Sequence, residues 1–327
     1  MQWFHQLPRY WHTTSVITYA LWPFEQVYKW ALHLRRAMYA LGLFKTHKLN
    51  ATVIVVGNVV AGGGGKTPLT IAIVQRLQQQ GYKVGVVSRG YGRSNSQIQM
   101  VQGLSTADQV GDEPLLIFQK CQVPVAVGAK RFEAAQHLIE QHPEVNIIVC
   151  DDGLQHWSLQ RDIEICVMDS MGIGNGHLLP AGPLREAWPR PVDLLLHTQQ
   201  RSLAEGFAST RQLSSEAING LGQPVALSSL ENQVVEVVCG IAKPQAFVDM
   251  LKARNIQIEH FTALPDHAKF SDWQPQKPKL KLLCTEKDAV KLWPLHPEAL
   301  AVPLLFEPEI SFWLAFDKLI KTRHRYH

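Results

Sequence analysis

The sequence predicts an α/β protein in which a mostly parallel sheet is flanked by helices, followed by a smaller α/β domain towards the C-terminus. Three observations lead to this prediction. Short apolar runs rich in Val and Ile alternate with segments of helical periodicity. Several of these runs end in Gly, Asp or Arg, where ligands bind at the carboxyl edge of parallel sheets. The length of 327 residues is that of about two domains.

Composition restricts the class of protein further. Apolar residues make up 46% of the chain and charged residues 18%, as in globular proteins with a sizeable core. The five cysteines form no CxxC pair and no ligand spacing with His, and all but Cys121 lie in or at the end of apolar, strand-like runs. We therefore expect reduced core thiols in a cytoplasmic protein, and neither a disulfide framework nor a zinc site.

The positive charge is concentrated near the N-terminus. Residues 1–48 contain six Lys or Arg and one acidic residue, Glu25, whereas the remainder has 26 basic and 27 acidic residues. The remainder therefore lacks the basic surface that nucleic-acid binding requires, and no nucleic-acid partner is expected.

The same segment, 1–48, is rich in aromatic residues, and from Phe24 onward its apolar residues follow helical spacing. Its longest uncharged run has fifteen residues, too few for a spanning helix, which needs about 20. Aromatic, basic and amphipathic features together predict a pair of monotopic helices lying on a membrane. The alternative is a helical hairpin packed on the core of the protein itself.

The clearest motif is the stretch 52–70, TVIVVGNVVAGGGGKTPLT. An apolar strand leads through four glycines to Lys-Thr-Pro and then to a helical pattern, which predicts a P-loop NTPase-like domain that binds ATP or GTP. The general motif has Gly six residues before the Lys, where this chain has Val60, so a Gly-rich linker is the alternative. The residues predicted to bind nucleotide are Ala61, Gly62, Gly63, Gly64, Gly65, Lys66, Thr67 and Pro68.

A second motif, VNIIVCDDGLQH at 145–156, places two acids directly after a buried strand. In phosphate-loop enzymes, an Asp in this position holds Mg²⁺, directly or through water. Asp151 and Asp152, with the Thr67 hydroxyl, are therefore the predicted metal site. The alternative is an ordinary Asp-Asp-Gly turn.

Other loops carry candidate substrate contacts. SRGYG ends a predicted strand, so Arg89 and Tyr91 are candidates, the alternative being a mobile surface turn. Arg131 begins a helix, where a cation opposes the helix dipole, which favours a role in binding an anionic group. Asp112 is either a helix N-cap or functional. The Gly- and Pro-rich residues 172–191 predict a lid that faces the substrate.

A polar stretch at 199–230 predicts a domain boundary. We expect N-terminal membrane helices at 1–48, a phosphate-loop domain at 49–215, and a smaller α/β domain at 216–327. The active site is expected between the last two.

Seven motifs then occur in order: VVGNVVAGGGGKTP, SRGYG, GDEP, DDGLQH, LPAGPLRE, PDH and TEKDAVK. Together with the basic, aromatic N-terminus they resemble the tetraacyldisaccharide 4'-kinase family over nearly the whole chain. That family's loop ends in GGxGKTP, so Val60 is no departure from it. The resemblance implies that ATP, with Mg²⁺, phosphorylates the 4'-hydroxyl of a tetraacyldisaccharide 1-phosphate, a lipid A precursor. It also implies a peripheral, monotopic position on the cytoplasmic face of the bacterial inner membrane, with no protein partner predicted.

The resemblance also implies residue roles. Lys66 binds phosphate, while Asp112 of GDEP and His267 of PDH form a catalytic dyad in which the Asp accepts the proton of the sugar hydroxyl and the His tunes it. Arg185 and Glu186 fall at positions near the substrate.

Two other functions fit parts of the sequence. A membrane-associated ATPase switch would have a variant phosphate loop and a membrane helix, but it would also need a signature lysine early in the loop, and none precedes Lys66 there. A soluble small-molecule kinase would use residues 1–48 as core only.

Overall fold

The computed structural model describes residues 10–62, 65–199, 201 and 203–324, and its strands form two sheets. The nine-stranded sheet contains β1 (Thr52–Gly57), β2 (Val84–Ser88), β3 (Gln99–Met100), β4 (Val125–Val127), β5 (Ile147–Asp151), β6 (Ile163–Met168), β7 (Leu194–His197), β8 (Phe207–Leu213) and β15 (Leu304–Pro308). The six-stranded sheet contains β9 (Glu216–Ile218), β10 (Pro224–Ala226), β11 (Val234–Cys239), β12 (Gln257–Ala263), β13 (Lys281–Thr285) and β14 (Leu300–Val302).

The helices are α1 (Val16–Ala40), α2 (Lys66–Gln79), α3 (Ala107–Val110), α4 (Asp112–Cys121), α5 (Arg131–Gln141), α6 (Pro244–Lys252), α7 (Glu286–Leu292) and α8 (Ile310–Arg323), with a 3₁₀ turn at Leu227–Leu230.

The nine-stranded sheet has the order β15-β8-β7-β6-β1-β5-β2-β4-β3. Its seven inner strands, β8 to β4, are parallel, and the edge strands β15 and β3 are antiparallel to their neighbours. Strands β1, β2, β4 and β5 are buried along their whole length, because helices cover both faces of the parallel sheet. Strand β1 lies at the centre, with β5 on one side and β6 on the other, so the chain reverses its winding direction there. Such a point is where ligands bind in open α/β sheets.

The second sheet has the order β10-β9-β14-β13-β11-β12, with its four strands from β14 to β12 parallel. The chain enters this sheet from β8 and returns through β14 to β15. Strand β15 pairs with β8, and Phe312 and Phe316 of α8 are buried in the core of the first sheet. The three-domain division remains a prediction. Residues 304–323, assigned to the third domain, pack on the first sheet, where apolar side chains of α8 are buried.

The stretch 199–230, predicted as a polar boundary, contains β8, β9 and β10. It escaped assignment because its strands are short and half-exposed, with polar residues on their outer faces. The region 172–191 has no helix or strand, as its Gly and Pro content predicted. All five cysteines are free and buried, in agreement with the predicted core thiols.

Within the described residues, the N-terminal segment forms one long helix, α1, and not the predicted pair. Pro23 lies inside this helix and Ser15 is its N-cap. Glu25 is buried, and its carboxylate accepts hydrogen bonds from His177 Nδ1 at 2.8 Å and from the Leu178 N–H at 2.9 Å. Among the described residues, no helix is both long and apolar enough to cross a membrane.

Candidate active site

The phosphate loop connects the central strand β1 to α2. Gly65 immediately precedes the helix with φ of 85°, a left-handed conformation that favours glycine. Lys66 and Thr67, the first two helical residues, are both less than a tenth exposed. The Lys66 ammonium donates to the Gly62 carbonyl at 3.4 Å, so its side chain folds back over the loop. Two of the predicted nucleotide-binding residues, Gly63 and Gly64, lie outside the described residues; Ala61 and Pro68 flank the described part of the loop.

The predicted acidic pair lies beside this loop because β5 is hydrogen-bonded to β1. Asp151, the last residue of β5, is opposite Val56 in the parallel register. It is 1% exposed, and its Oδ1 accepts a hydrogen bond from the Thr70 hydroxyl at 2.9 Å. Burial, together with the neighbouring carboxylates of Glu113 and Asp152, raises the pKa of Asp151 to about 7.

Asp152 follows in a left-handed conformation, with φ of 51°. Its carboxylate accepts two hydrogen bonds from Arg185 Nη1, at 2.9 and 3.1 Å, and lies 3.6 Å from Lys66 Nζ. Burial opposes ionisation of Asp152, but these two cations outweigh it and hold the pKa of its carboxyl below the ordinary value. The two neighbouring acids therefore differ: Asp152 is an ion-paired carboxylate, whereas Asp151 is a buried acid with no cation in hydrogen-bond contact among the described residues.

The residues at this edge fit Mg²⁺. In the part of the chain that the structure describes, no group of three His, Cys, Asp or Glu side chains gathers as a metal cluster. Mg²⁺ does not need one, since it is usually held by one or two carboxylates, waters and substrate phosphates. Oδ2 of Asp151 is buried and lacks a hydrogen-bond partner among the described residues, which leaves a carboxylate oxygen for a cation. Thr67 and Asp152 lie at the same sheet edge.

Asp112 and His267, far apart in the sequence, are in contact. Asp112 is the first residue of α4, and Gly111 occupies the N-cap position. The alternative in which Asp112 is the N-cap is therefore wrong. His267 lies in the loop after β12, with φ of 63°. Its Nδ1 is 3.0 Å from both carboxylate oxygens of Asp112. The structure therefore brings the two dyad residues together from the two sheets.

Two lysines of α7, Lys287 and Lys291, lie beside Asp112 and His267, and they were not among the predicted site residues. Lys291 Nζ is 3.0 Å from Oδ2 of Asp112, and both side chains are less than a tenth exposed. Lys287 Nζ is 3.0 Å from Asp266 and 3.4 Å from both Glu113 and His267 Nε2. The signal for them was the TEKDAVK motif, whose lysines are four residues apart and so share one face of a helix.

The electrostatics of Asp112 follow from this arrangement. Burial by itself would raise the pKa of its carboxyl, but the hydrogen bond from His267 and the charges of Lys287 and Lys291 hold that pKa well below the ordinary range. Oδ1 also accepts the backbone N–H of Glu113 at 2.9 Å. Asp112 is thus an ionised acceptor at neutral pH, surrounded by donors.

The predicted substrate contacts of the SRGYG loop lie at the surface. The Tyr91 side chain is 61% exposed, and its ring lies 4.9 Å from the His267 ring, centroid to centroid. Arg89 is exposed as well. Tyr91 therefore forms the outer wall of the dyad, whereas no hydrogen bond or ion pair of Arg89 is seen in the described region. Their contact with substrate stays a prediction.

Arg131, also predicted to contact an anion, is completely buried. Its Nη1 donates to the Gly128 carbonyl at 2.7 Å, and its Nη2 lies 3.5 Å from the Asp152 carbonyl. In this conformation it supports the backbone of the acidic turn from behind, and substrate contact has no geometric support.

Arg185 and Glu186 reach the site because the loop that carries them is bonded to the start of the phosphate loop. The Arg185 N–H donates to the Val59 carbonyl at 2.7 Å. Glu186 is 2% exposed and accepts hydrogen bonds from Gln155 at 2.7 Å and from Arg190 at 3.3 Å. Arg185 is thus positioned on Asp152, while Glu186 is an internal anchor of the loop in this structure. Their proximity to substrate stays a prediction.

A cavity of about 970 Å³ opens between the two sheets. It is large enough for a nucleotide, since ligand pockets are typically about 300–1,000 Å³. The phosphate loop and α4 form one wall, and the start of α6 and of α7 form the other. Its lining includes Lys66, Thr67, Glu113, Lys243 and Lys287.

Comparison with known proteins decides the family. The family model described as LpxK, tetraacyldisaccharide-1-P 4'-kinase, matches residues 17–324. The chain belongs to the tetraacyldisaccharide 4'-kinase family. The kinase of Acidovorax sp. (strain JS42) is 49% identical over 310 residues, which cover 94% of this chain and 92% of the relative. The kinase of Verminephrobacter eiseniae (strain EF01-2) is 45% identical over 327 residues, covering 98% and 76%.

A solved structure agrees with this assignment. LpxK from Aquifex aeolicus, crystallised in complex with ATP, superposes with a TM-score of 0.81 at 27% sequence identity. The match covers 95% of this chain and 100% of that chain. The family predicted from the seven motifs and the predicted fold class are therefore confirmed.

Proposed function

We propose that this chain transfers the γ-phosphoryl group of ATP to the 4'-hydroxyl of a tetraacyldisaccharide 1-phosphate, using the residues described above. Family membership makes it a kinase of lipid A biosynthesis whose acceptor is a sugar hydroxyl. The observation that supports the residue roles best is the contact between Asp112 and His267, whose neighbours Glu113 and Lys287 line the same cavity as the phosphate loop.

The phosphate loop accounts for nucleotide binding. Backbone N–H groups at the start of α2 and the Lys66 ammonium provide positive charge for the β- and γ-phosphates. Lys66 is held within 3.6 Å of Asp152, which in turn is fixed by Arg185, so the lysine is pre-positioned. The residues that would hold Mg²⁺ are Thr67, Asp151 and Asp152. A bound Mg²⁺ would neutralise part of the phosphate charge.

Asp112 is the proposed base. As the sugar oxygen bonds to the γ-phosphorus and the bond to the β–γ bridging oxygen breaks, the hydroxyl proton passes to the Asp112 carboxylate and ADP leaves. A carboxylate of low pKa suits this reaction, because in a loose phosphoryl-transfer transition state the proton is taken late. In this structure the Asp112 oxygens accept from His267, Lys291 and the Glu113 N–H, so the hydroxyl must replace one of these donors.

The placement of the dyad also limits wasteful hydrolysis. Asp112 belongs to α4 of the first sheet, whereas His267 and Lys291 follow strands of the second sheet. The arrangement around Asp112 is complete only when the two sheets are held together, as they are here. Closure of this kind couples chemistry to substrate binding and excludes water.

A lipid phosphorylation assay tests the proposal. Incubation with ATP and a tetraacyldisaccharide 1-phosphate should add a second phosphate to the lipid. ATP hydrolysis that is independent of the lipid would instead favour an ATPase switch.

Asp112→Asn should lower turnover by about 10²–10⁴-fold while ATP affinity stays the same. Asp108→Asn is the matched control, because Asp108 is an exposed carboxylate that pairs with Lys269 of the other sheet. A large loss of ATP binding in Asp112→Asn would remove the base assignment.

We further propose that α1 holds the protein on the cytoplasmic face of the inner membrane. The support is an outward-facing set of large apolar side chains that no part of the described chain covers. Its members are Val16, Tyr19, Trp22, Phe24, Val27, Trp30 and Leu34, between 46% and 84% exposed. Lys29 is exposed on the same helix, where anionic headgroups would attract it, whereas Arg36 faces the protein and pairs with Glu186 at 3.5 Å. An exposed apolar patch of this kind is typical of a membrane contact.

The opposite side of α1 is held by the protein itself. Glu25 is buried against His177, and the Tyr28 hydroxyl donates to the Arg185 carbonyl at 2.8 Å. The helix therefore has one face for the core and another for a lipid surface, which combines the two sequence-based interpretations of this segment.

Vesicle sedimentation tests the membrane proposal. Replacing Trp22 and Trp30 by Ser in the full chain should release the protein from vesicles that contain anionic phospholipid, since each buried indole is worth about 1.5–3 kcal/mol. Leu221→Ser is the control, because Leu221 is 73% exposed but lies in the second sheet's domain. Unchanged binding of the double variant would contradict the proposal.

A further inference from the structure

Arg211, in β8, is a partly buried cation that belongs to none of the sequence motifs. Two of its guanidinium nitrogens, Nε and Nη2, are buried and have no hydrogen-bond partner among the described residues. Burial lowers the pKa of this guanidinium, the reverse of what a paired arginine shows. A buried charge without a partner is destabilising, so it is retained where a ligand or a structural partner compensates it.

Among the residues that the structure describes, no carboxylate is hydrogen-bonded to Arg211. The acid that acts on its charge is Asp169, at the end of β6, but Asp169 Oδ2 is taken by Lys243 at 2.6 Å and Oδ1 by the Met171 N–H at 2.9 Å. On the other side, the guanidinium lies over the Phe306 ring, 5.6 Å from its centroid. A ring face attracts a cation, but it offers no carboxylate for the free N–H groups.

The guanidinium lies directly against the phosphate loop. A Cβ added to Gly65 would come within 1.9 Å of Arg211 Nη2, so the absence of a side chain at Gly65 is what allows this approach. Arg211 also lines the 970 Å³ cavity, together with Gly65, Lys66 and Thr67. The Arg211 side chain thus lies at the wall of the cavity beside the phosphate loop, where a nucleotide's phosphates would lie.

We propose that Arg211 contacts the phosphate chain of the bound nucleotide and is a determinant of triphosphate affinity. This inference rests on the proposed kinase function. The phosphate oxygens would accept from the N–H groups that lack a partner, and they would supply the negative charge that the surrounding protein does not. A planar guanidinium suits this role, because its N–H groups form a fork that matches two phosphate oxygens. Arg211 belongs to the strand that leads into the second sheet, so the contact would also connect nucleotide binding to that sheet.

Calorimetric titration of the full chain with AMP-PNP and Mg²⁺, and separately with adenosine, tests this proposal. Arg211→Gln should weaken AMP-PNP binding by about 10–100-fold, the range expected for hydrogen bonds to a charged group. Adenosine has no phosphate, so its affinity should not change. Arg211→Lys keeps the charge but loses the fork, so its AMP-PNP affinity should lie between those of the wild type and Arg211→Gln. The thermal midpoint of the ligand-free protein should not drop in Arg211→Gln, because the variant removes a charge whose Nε and Nη2 lack a hydrogen-bond partner.

Arg201→Gln is the matched control, since Arg201 is an exposed arginine near the same strand and pairs with Glu309. It should bind AMP-PNP as the wild type does. Equal AMP-PNP affinity of wild type, Arg201→Gln and Arg211→Gln would overturn the assignment and leave the kinase function intact. Equal losses for AMP-PNP and adenosine would show a structural role instead. Failure of the wild type to bind AMP-PNP would contradict the kinase function itself. If Arg211→Gln does not fold, Arg211→Lys decides the matter by the same comparison.

Discussion

Replacing Lys291 by Met tests how strongly the second sheet holds the proposed base. Lys291 and Asp112 form an ion pair at 3.0 Å with side chains 9% and 3% exposed, so the pair is shielded from water. Removing one partner of such a pair typically costs about 3–5 kcal/mol, because the other charge stays buried. Asp112 keeps its contacts with His267, and Lys287 remains near, so we expect the lower value, about 3 kcal/mol. Met fills a similar volume and limits any cavity.

The assay is thermal unfolding without ligand. About 3 kcal/mol corresponds to a midpoint lowered by roughly 4 °C in a protein of 327 residues. The double variant Asp112→Asn/Lys291→Met should be less destabilised than the sum of the single variants, because no buried charge is then left unpaired. Lys252→Met is the control, as Lys252 is exposed at the end of α6. A Lys291→Met midpoint equal to that of the control, or additive single effects, would refute the reasoning.

Four further predictions concern the acidic turn and its supports. Because the pKa of Asp151 is raised to about 7, its carboxylate forms between pH 6 and 8, so affinity for Mg²⁺–AMP-PNP should rise roughly tenfold over that interval, and Asp151→Asn should show no such rise. In thermal unfolding without Mg²⁺, Asp151 is protonated in both states below the ordinary carboxyl pKa, and the folded protein is then most stable with respect to this group. Because the folded-state pKa is raised, this contribution to stability should be lost as the pH rises through about 7. Arg185→Met removes the Nη1 donor to both carboxylate oxygens of Asp152 and should lower turnover by about 10–100-fold in the lipid assay; an unchanged rate would rule out this positioning role. Tyr28→Phe removes one hydrogen bond between α1 and Arg185 and should cost about 1 kcal/mol of unfolding free energy, whereas Tyr19→Phe, on the exposed face, should cost nothing measurable.

Local motifs were the most predictable part of the site. The phosphate loop and the Asp151–Asp152 turn each follow a buried strand, and the rule that parallel strands align their carboxyl ends placed both at one edge. The helix α1 was predictable as amphipathic, but the burial of Glu25 was not. Its partners His177 and Leu178 come from an irregular loop about 150 residues away, and periodicity contains no information about such a contact.

The C-terminal strand and helix show the same limit for the fold. The apolar pattern of β15 and α8 does not specify which sheet they pack on. The pairing of β15 with β8 required the chain to return from the second sheet to the first. That choice also places Phe306 under Arg211, so the surroundings of the phosphate loop depend on it.

The sequence by itself determined the family, the α/β class, the phosphate loop and the acidic turn, because each is written in a short, contiguous stretch of residues. Only the tertiary structure decided the rest of the site. It shows that Lys291 pairs with Asp112 and that Arg211 lies against Gly65. It also shows that Arg131 is buried in the interior. The physical reason is that charge pairing and burial act between side chains that are close in space, and distances of this kind are set by how the two sheets pack.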